Sequence, residues 1–348
     1  MPGGGAGTTN GAIALKVTVG IKALNEERHI ARTLQSAIDA VAPYGGEVVL
    51  ADSGSSDRTI EIASAFPVTI VQLANHAERC CGAGAQLAFQ HARGEFFYLL
   101  DGDMVLDPGF LPAGLAFLEA NPQVAGVGGR VREVNTESHE FQIRADTVAR
   151  GGHWAAGIVD RLDCGGLYRA SAIRDAGYFA DRNLHAFEEF ELGARLQANG
   201  WKLARVDVPA VDHYGHRLDG YRLLWKRFRS GYSGATGEVL RGALGHPHLG
   251  VVLRRLAHIR HDAVVILWWL ALLACLFSPL SAPGKLALLI ALIGFPLAFL
   301  SWRRGSLKLG LYSFAAWNVG ALGLLTGLFS ARKPPQDAVA SVTLKSTP

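Results

Sequence analysis

The stretch FFYLLDGDMVLDPGF, residues 96–110, decides the fold. Phe96 to Leu100 are all aromatic or aliphatic and read as a buried strand, which ends abruptly in Asp101-Gly102-Asp103. Two carboxylates this close destabilise each other unless a cation sits between or beside them. Upstream, three more β-rich runs precede it: KVTVGIKA (16–23), GEVVLADSG (46–54) and VTIVQL (68–73). Helical patterns separate them. LNEERHIARTLQSAIDAV puts Ile30, Leu34 and Ile38 on one face, SDRTIEIASAF starts at Ser56 or Asp57 as cap, and GAGAQLAFQHA follows at 82–92. This alternation predicts an α/β fold, a mostly parallel sheet covered on both faces. Ligands bind such sheets beyond the carboxyl ends of the strands, where both Asp52 and Asp101 fall. Further on, PQVAGVGGRVRE (122–133) reads as another strand, a helix is expected over 188–199, and Gly200 stops it before one more strand.

The 348 residues are enough for a full domain and a second region, and a net charge of +4 gives no reason to expect a nucleic-acid partner. Cys80, Cys81, Cys164 and Cys275 have neither zinc spacing nor a disulfide framework and read as reduced thiols in a cytosolic setting. Residues 1–15 are Gly-rich, with no basic or long apolar segment, and read as a disordered leader rather than a signal peptide. The globular domain is expected over 16–216.

Residues 217–262 form a different region. Leu218, Tyr221, Leu224, Trp225, Phe228 and Tyr232 share a helical face flanked by Arg222, Lys226 and Arg229, the pattern of a helix lying in a membrane interface or one packed on the domain. Arg217, Arg222, Lys226, Arg227, Arg229, Arg241, Arg254, Arg255 and Arg260 outweigh Asp219, Glu238 and Asp262, a bias that attracts anionic head groups. A transmembrane region is expected over 263–330, with apolar runs at about 263–280, 286–301 and 309–329, then a tail over 331–348. Basic residues before the first run, and WRRGSLK between the second and third, predict two intervening spans with the globular domain cytoplasmic. Arg332 and Lys333 fit that scheme poorly.

Hard oxygen ligands such as Asp101 and Asp103 select Mg²⁺ or Mn²⁺, which keep few protein ligands and share substrate phosphates. The bland alternative is an Asp-Gly turn with a solvated neighbour. Asp52 is followed by the small Ser53 and Gly54, so a ligand could approach closely, or Asp52 is a turn residue. Glu188, Glu189 and Glu191 open a helix, either to complement its dipole or to act as a general base. His213 is a third metal ligand or a surface residue. No Gly-x-Gly-x-x-Gly follows the first strand, which disfavours a dinucleotide-binding oxidoreductase.

Taken together, IKALNEERHIARTL, VVLADSGSSDRTIEIA, ARGEFFYLLDGDMVLDPGFL, CGGLYRASAIRDAGYF and FEEFELGARLQANGW resemble the family 2 glycosyltransferases of the GT-A fold, in family order from about Val17 to Gly231. The resemblance implies that Ala23, Asn25 and Glu26 line the nucleotide pocket, that Asp52 bonds the base, most often uracil, and that Asp101 and Asp103 form the DXD motif. Asp103 is the surer metal ligand, with Mg²⁺ or Mn²⁺ as cofactor and His213 near it. Glu189 stands where the family usually has an Asp as catalytic base, so Glu188 or Glu191 remains an alternative. Gly165, Gly166, Leu167, Tyr168 and Arg169 would line the acceptor side. Gln86 stands near where an Asn is common. The Gln-x-x-Arg-Trp signature of processive synthases is missing, WKRFRSG being the nearest segment, which implies transfer of a single sugar. The implied reaction moves a sugar with inversion from a nucleotide-sugar donor to a lipid or lipid-linked acceptor at the inner membrane. A polyprenyl-phosphate sugar synthase of the same fold and a non-catalytic nucleotide-binding scaffold are the competing readings.

Overall fold

A computed structural model describes residues 16–134, 154–163, 165–215 and 220–347. The expected leader, Cys164 and Arg217 to Asp219 lie outside the described residues. The first half runs β1 (Val17–Ala23), α1 (Ile30–Val41), β2 (Glu47–Asp52), α2 (Thr59–Ser64), β3 (Thr69–Leu73), α3 (Cys81–Gln90) and β4 (Phe96–Asp101). The helix expected from Leu24 begins only at Ile30, because Asn25 takes a left-handed backbone and breaks the turn. Then come β5 (Met104–Leu106), α4 (Phe110–Ala120), β6 (Val124–Glu133), β7 (Gly157–Val159), β8 (Leu167–Arg169), α5 (Ala170–Asp175), α6 (Glu188–Ala198) and β9 (Lys202–His213). Gly200, at φ +85°, ends α6 as its position predicts.

With β10 (Ser341–Lys345) from the end of the chain, the described strands form one sheet in the order β10-β3-β2-β1-β4-β8-β6-β9-β5, with β7 on β9. It is mixed. β3, β2, β1 and β4 are parallel, β6 and β9 are parallel, and β8 runs antiparallel between β4 and β6. Strand periodicity divides the core. Val17, Val19 and Ile21 of β1 and Phe96, Tyr98 and Leu100 of β4 face α1 and α4, while Phe97 and Leu99 face α3, α5 and α6. The same alternation sends Lys22 and Asp101 to the α3–α6 face at the carboxyl ends of adjacent strands.

The basic region folds as α7 (Gly220–Arg229), α8 (Ala235–Ala243) and α9 (Leu249–Arg255). Leu184, Phe190 and Ala194 around α6 pack with Val239, Val252 and Ile259, tying this region to the domain. Three helices follow that are long and apolar enough to cross a membrane: α10 (Ala257–Phe277), α11 (Ala282–Arg304) and α12 (Leu307–Phe329). They exceed the apolar runs because polar end residues such as His258 and Arg303 continue the backbone ladder. Pro279 and Pro283 mark the turn between α10 and α11.

The stretch read as a tail is structured. β10 (Ser341–Lys345) pairs antiparallel with β3, Ser341 opposite Leu73 and Thr343 opposite Val71. Arg332 bonds Asp181 at 2.8 Å and Lys333 bonds Glu78 at 2.7 Å, so both cations serve the globular domain, which accounts for their poor fit to a membrane-flank reading.

Candidate active site

The carboxyl ends of β1 and β4 open into a cavity of about 600 Å³. Lys22, Glu26, Ser53, Asp101 and Asp103 line it, together with Arg79, Lys226 and Ser230. Parallel register sets Lys22 beside Asp101 and Ala23 beside Asp52. The Asp-Gly-Asp turn is pinned: Gly102 N donates to Lys22 O at 3.0 Å, and Thr33 Oγ1 donates to Gly102 O at 2.9 Å. A Cβ on Gly102 would lie 2.8 Å from Glu26 Cγ, so only glycine lets this turn close on the β1 loop.

Asp101 meets a cation that belongs to the chain. Lys22 Nζ lies 3.2 Å from Asp101 Oδ1 and 2.5 Å from Glu188 Oε1. Burial opposes the lysine's charge, but Asp101 and Glu188 outweigh it and hold its pKa well above the ordinary value. Reading the sequence for acids missed Lys22. A lysine one residue before the end of an otherwise apolar strand was a usable signal, because an unpaired charge there is costly.

Asp103 has a different partner. The ends of β5, β6 and β9 converge, so that His213 Nδ1 meets Glu133 Oε2 at 2.6 Å and His213 Nε2 lies 3.5 Å from Asp103 Oδ2. Burial lowers the imidazole's pKa, but bonds to Asp103 and Glu133 overcome this and raise it to about 9. Glu26 is pushed up to about 8 by burial and by the charges of Asp103 and Asp101. Glu133 was also missed, since only the parallel β6–β9 register brings it to His213.

The acids of α6 have separate surroundings. Phe187, immediately before the helix, has φ 66°, and Asn25 has φ 59°. These are the two non-glycine positive-φ residues among those described, and both border the site. Glu188 is engaged by Lys22. Glu191 receives a bidentate bond from Arg195 at 2.7 and 2.8 Å and the Tyr178 hydroxyl at 3.2 Å, deep in the core. Glu189 accepts the Tyr168 hydroxyl at 3.3 Å, and burial with Asp163 and Glu188 nearby lifts its carboxyl well above the usual range.

Other expected residues lie farther from the cavity. Asp52 is fully buried and accepts from Gly54 N, Ser55 N, Ser55 Oγ and Gln72 Nε2, which organises the loop after β2. Gly54, at φ +89°, turns under the His76 ring. Asn25 Oδ1 accepts Ser56 N at 2.8 Å. In the stretch assigned to the acceptor, Leu167 and Tyr168 are core residues of β8, and Arg169 donates to Leu118 O and Val124 O. Gly165 takes φ +98° beside the Tyr98 hydroxyl, and Gly166 packs on Leu162.

Among the described residues no three potential ligands close a metal site by themselves. The donor set still suits a divalent cation, for two reasons. Asp103 and His213 offer oxygen and imidazole side by side, and Glu26, raised mainly by burial and then by the charges of Asp103 and Asp101, adds a third carboxyl to the same cavity.

Residues 18–177 match the profile of glycosyl transferase family 2. EpsE of Bacillus subtilis (strain 168), which carries a provisional glycosyltransferase name, is 28% identical over 204 residues, 54% of this chain and 68% of its own. Glucomannan 4-beta-mannosyltransferase 2 of Arabidopsis thaliana is 28% identical over 120 residues, only 21% of its length and 31% of this chain. Among solved structures, mannosyltransferase PcManGT from Pyrobaculum calidifontis in complex with GDP-Man and Mn²⁺ aligns with TM-score 0.57 and 20% identity, over 90% of this chain and 87% of its own. S. aureus TarS 1–349 in complex with UDP-GlcNAc gives TM-score 0.53 and 17% identity, over 90% of this chain and 82% of its own. The mixed sheet is thus the GT-A fold. Over its residues 18–177, the chain is similar to glycosyl transferase family 2.

Proposed function

We propose that the protein transfers a single sugar, with inversion, from a UDP-sugar to a lipid-linked acceptor at the cytoplasmic face of the inner membrane. One observation carries this reading. The DXD carboxylates line a cavity at the strand ends together with Lys22, which bonds Glu188 at the start of α6, and with Lys226 of the basic α7. PcManGT and TarS, whose fold this chain shares, have been seen with a GDP-sugar and a UDP-sugar, which supports a nucleotide-sugar donor here.

The residues have distinct tasks in this reading. Asp103 and His213 would hold Mg²⁺ or Mn²⁺ together with the donor's diphosphate, and the ion would stabilise charge on the departing nucleoside diphosphate. Ala23, Asn25, Glu26, Ser53 and Gly54 shape the nucleotide side, and Asp52 fixes the loop that carries the last two. Lys22 holds Asp101 and Glu188 in place. Glu189 takes the proton of an attacking acceptor hydroxyl, a task its raised proton affinity suits. Tyr168 orients it, and Glu191 stays an internal partner of Arg195. Arg79 and Lys226 favour an anionic acceptor, so a polyprenyl phosphate is the second reading. Its oxygen is already ionised and has little need of Glu189.

The test incubates the full-length protein in vesicles with a panel of nucleotide sugars, Mn²⁺ and membrane lipid extract, following nucleotide release and labelled lipid. Lipid-dependent release of UDP, lost in Asp103→Ala, is the expected result. A product on polyprenyl phosphate that survives Glu189→Gln selects the second reading. Donor binding without Mn²⁺ dependence, and turnover unchanged by Asp103→Ala, would overturn both.

A further inference from the structure

Composition alone offers three spans, but the chain's connectivity conflicts with three. An odd number of crossings would put the segments before α10 and after α12 on opposite sides of the bilayer. Both belong to one body: α9 packs on the α6 side of the domain, and β10 is a strand of the catalytic sheet. The number of crossings is therefore even, and contacts identify which helices make them.

α10 and α11 form an antiparallel hairpin. Cys275 Sγ lies 3.7 Å from Lys285 O, and Trp268 Nε1 donates to Leu292 O at 2.8 Å, so stepping back along α10 matches stepping forward along α11. Extended at that spacing, Arg303 and Arg304 lie level with the first turn of α10, beside the domain. Each helix spans about 30 Å or slightly more, enough for the hydrocarbon core. The basic ends fall on one side, as the charge bias of membrane flanks requires.

α12 therefore begins on the domain side, and it also ends there, where Arg241 bonds Ser330 and Arg332 bonds Asp181. Between its ends it packs on α10, where Trp269 Nε1 donates to Asn318 Oδ1 at 2.8 Å and His261 stacks on Trp317, and it also follows the basic region. Tyr312 packs on Tyr221 of α7 with ring centroids 5.2 Å apart. A Cβ on Gly323 or Gly327 would overlap the carbonyl of Ser233 or Gly234, so these glycines set the close contact with the segment leading into α8. Between α7 and α12 lies an apolar groove of about 410 Å³, lined by Leu224, Trp225, Phe228, Trp269 and Leu322. Trp225 stays 61% exposed and Leu307 62%, and the helices that form the groove carry Arg222, Lys226 and Arg229 on α7 and Lys308 at the start of α12.

We propose that only α10 and α11 cross the bilayer, as a hairpin. In this arrangement α12 lies in the leaflet on the catalytic side, next to α7, and the apolar groove between them receives acyl chains of anionic membrane lipid. The apolar, partly uncovered lining suits acyl chains, and the cations suit their head groups. The inference rests on reading the three helices as membrane-associated.

Single cysteines test it in the full-length protein: Ser281→Cys in the α10–α11 turn, Ser306→Cys in the α11–α12 turn, Ser346→Cys after β10, and exposed Gln123→Cys as reference for the catalytic side. Leu280→Cys repeats the first position in case Ser281→Cys fails to accumulate. Sealed vesicles are treated with a membrane-impermeant maleimide before and after detergent, and each site is read by peptide mass, which separates it from native cysteines. Ser306→Cys and Ser346→Cys should label with Gln123→Cys, and positions 280 and 281 only under the opposite condition. If position 306 labels with 281, or 346 labels opposite to 123, the two-span arrangement is wrong. Release of the protein from membranes by alkaline carbonate would instead overturn the membrane reading beneath it.

Discussion

Replacing Lys22 with methionine keeps the side chain's length and removes the charge that joins β1, β4 and α6. Its ammonium lies 2.5 Å from a Glu188 oxygen and 3.2 Å from an Asp101 oxygen, with side-chain exposures of 16%, 8% and 37% for Lys22, Glu188 and Asp101. Removing one member of a buried ion pair costs about 3–5 kcal/mol, mainly because the remaining charge stays buried. Asp101 is exposed enough for water to solvate it, so the Glu188 contribution dominates and the low end, about 3 kcal/mol, applies. For a domain of this size each kcal/mol lowers Tm by roughly 2–4 °C, which gives a fall of about 6–12 °C. Thermal unfolding of the full-length protein in lipid nanodiscs reads this directly. A double-mutant cycle isolates the cause, because Glu188→Gln removes the stranded charge. Lys22→Met/Glu188→Gln should melt well above Lys22→Met alone. A Tm within about 1 °C of the parent, or costs that simply add in the double variant, would show that Lys22 is not the counter-ion described.

Three further outcomes follow from the site. Glu189→Gln should lower turnover with a hydroxyl acceptor by about 10²–10⁴-fold while leaving donor affinity, measured by calorimetry, within a few-fold. For cation-free protein, the folded pKa of Glu26 is raised from 4.5 to about 8 and that of His213 from 6.5 to about 9, so the folded state holds protons that the unfolded state releases. Stability should therefore fall as pH rises from about 5 to 9, less steeply in Glu26→Gln, and Mn²⁺ binding to wild type should release protons in paired-buffer calorimetry, whereas binding to Asp103→Ala should be lost. Truncation after Pro335 removes β10 and exposes the β3 edge, so the shortened protein should show a lower Tm and concentration-dependent association by light scattering.

The fold's first half was legible because each strand there is followed by a helix whose apolar spacing is unambiguous, as in Ile30 and Leu34. Of the later strands β6 and β9 were also legible, but β8 and β10 were not, for physical reasons. Leu167–Arg169 is too short to show a period of two, and Ser341–Lys345 alternates over only five residues, with its apolar Val342 and Leu344 exposed rather than facing a core. At the site, the carboxylates announced themselves as charges ending apolar runs. Their partners did not, because Lys22, Glu133 and Tyr168 are brought to Asp101, His213 and Glu189 by strand register and by the packing of α6. Asp52 shows the converse: its place at a strand end was readable, but its four bonds to Ser55, Gly54 and Gln72 depend on how the loop closes.

The two aspartates of the motif are therefore electrostatically unequal, although one glycine separates them. Asp101 lies 3.2 Å from Lys22, a cation that it shares with Glu188 and that ties the sheet to α6, and burial still holds its carboxyl above the ordinary range. Asp103 faces His213, a group that can give up its proton and its place beside the carboxylate, and lies near Glu26, raised by burial first and then by the charges of Asp103 and Asp101. An exchangeable cation gains most where the neighbour can itself become a ligand, as a deprotonated His213 can and the ammonium of Lys22 cannot. It should accordingly settle at Asp103, and Asp101→Asn should weaken Mn²⁺ binding far less than Asp103→Asn does. Equal losses from the two substitutions would mean that Lys22 releases Asp101 when the ion arrives, and would turn a fixed counter-ion into a moving one.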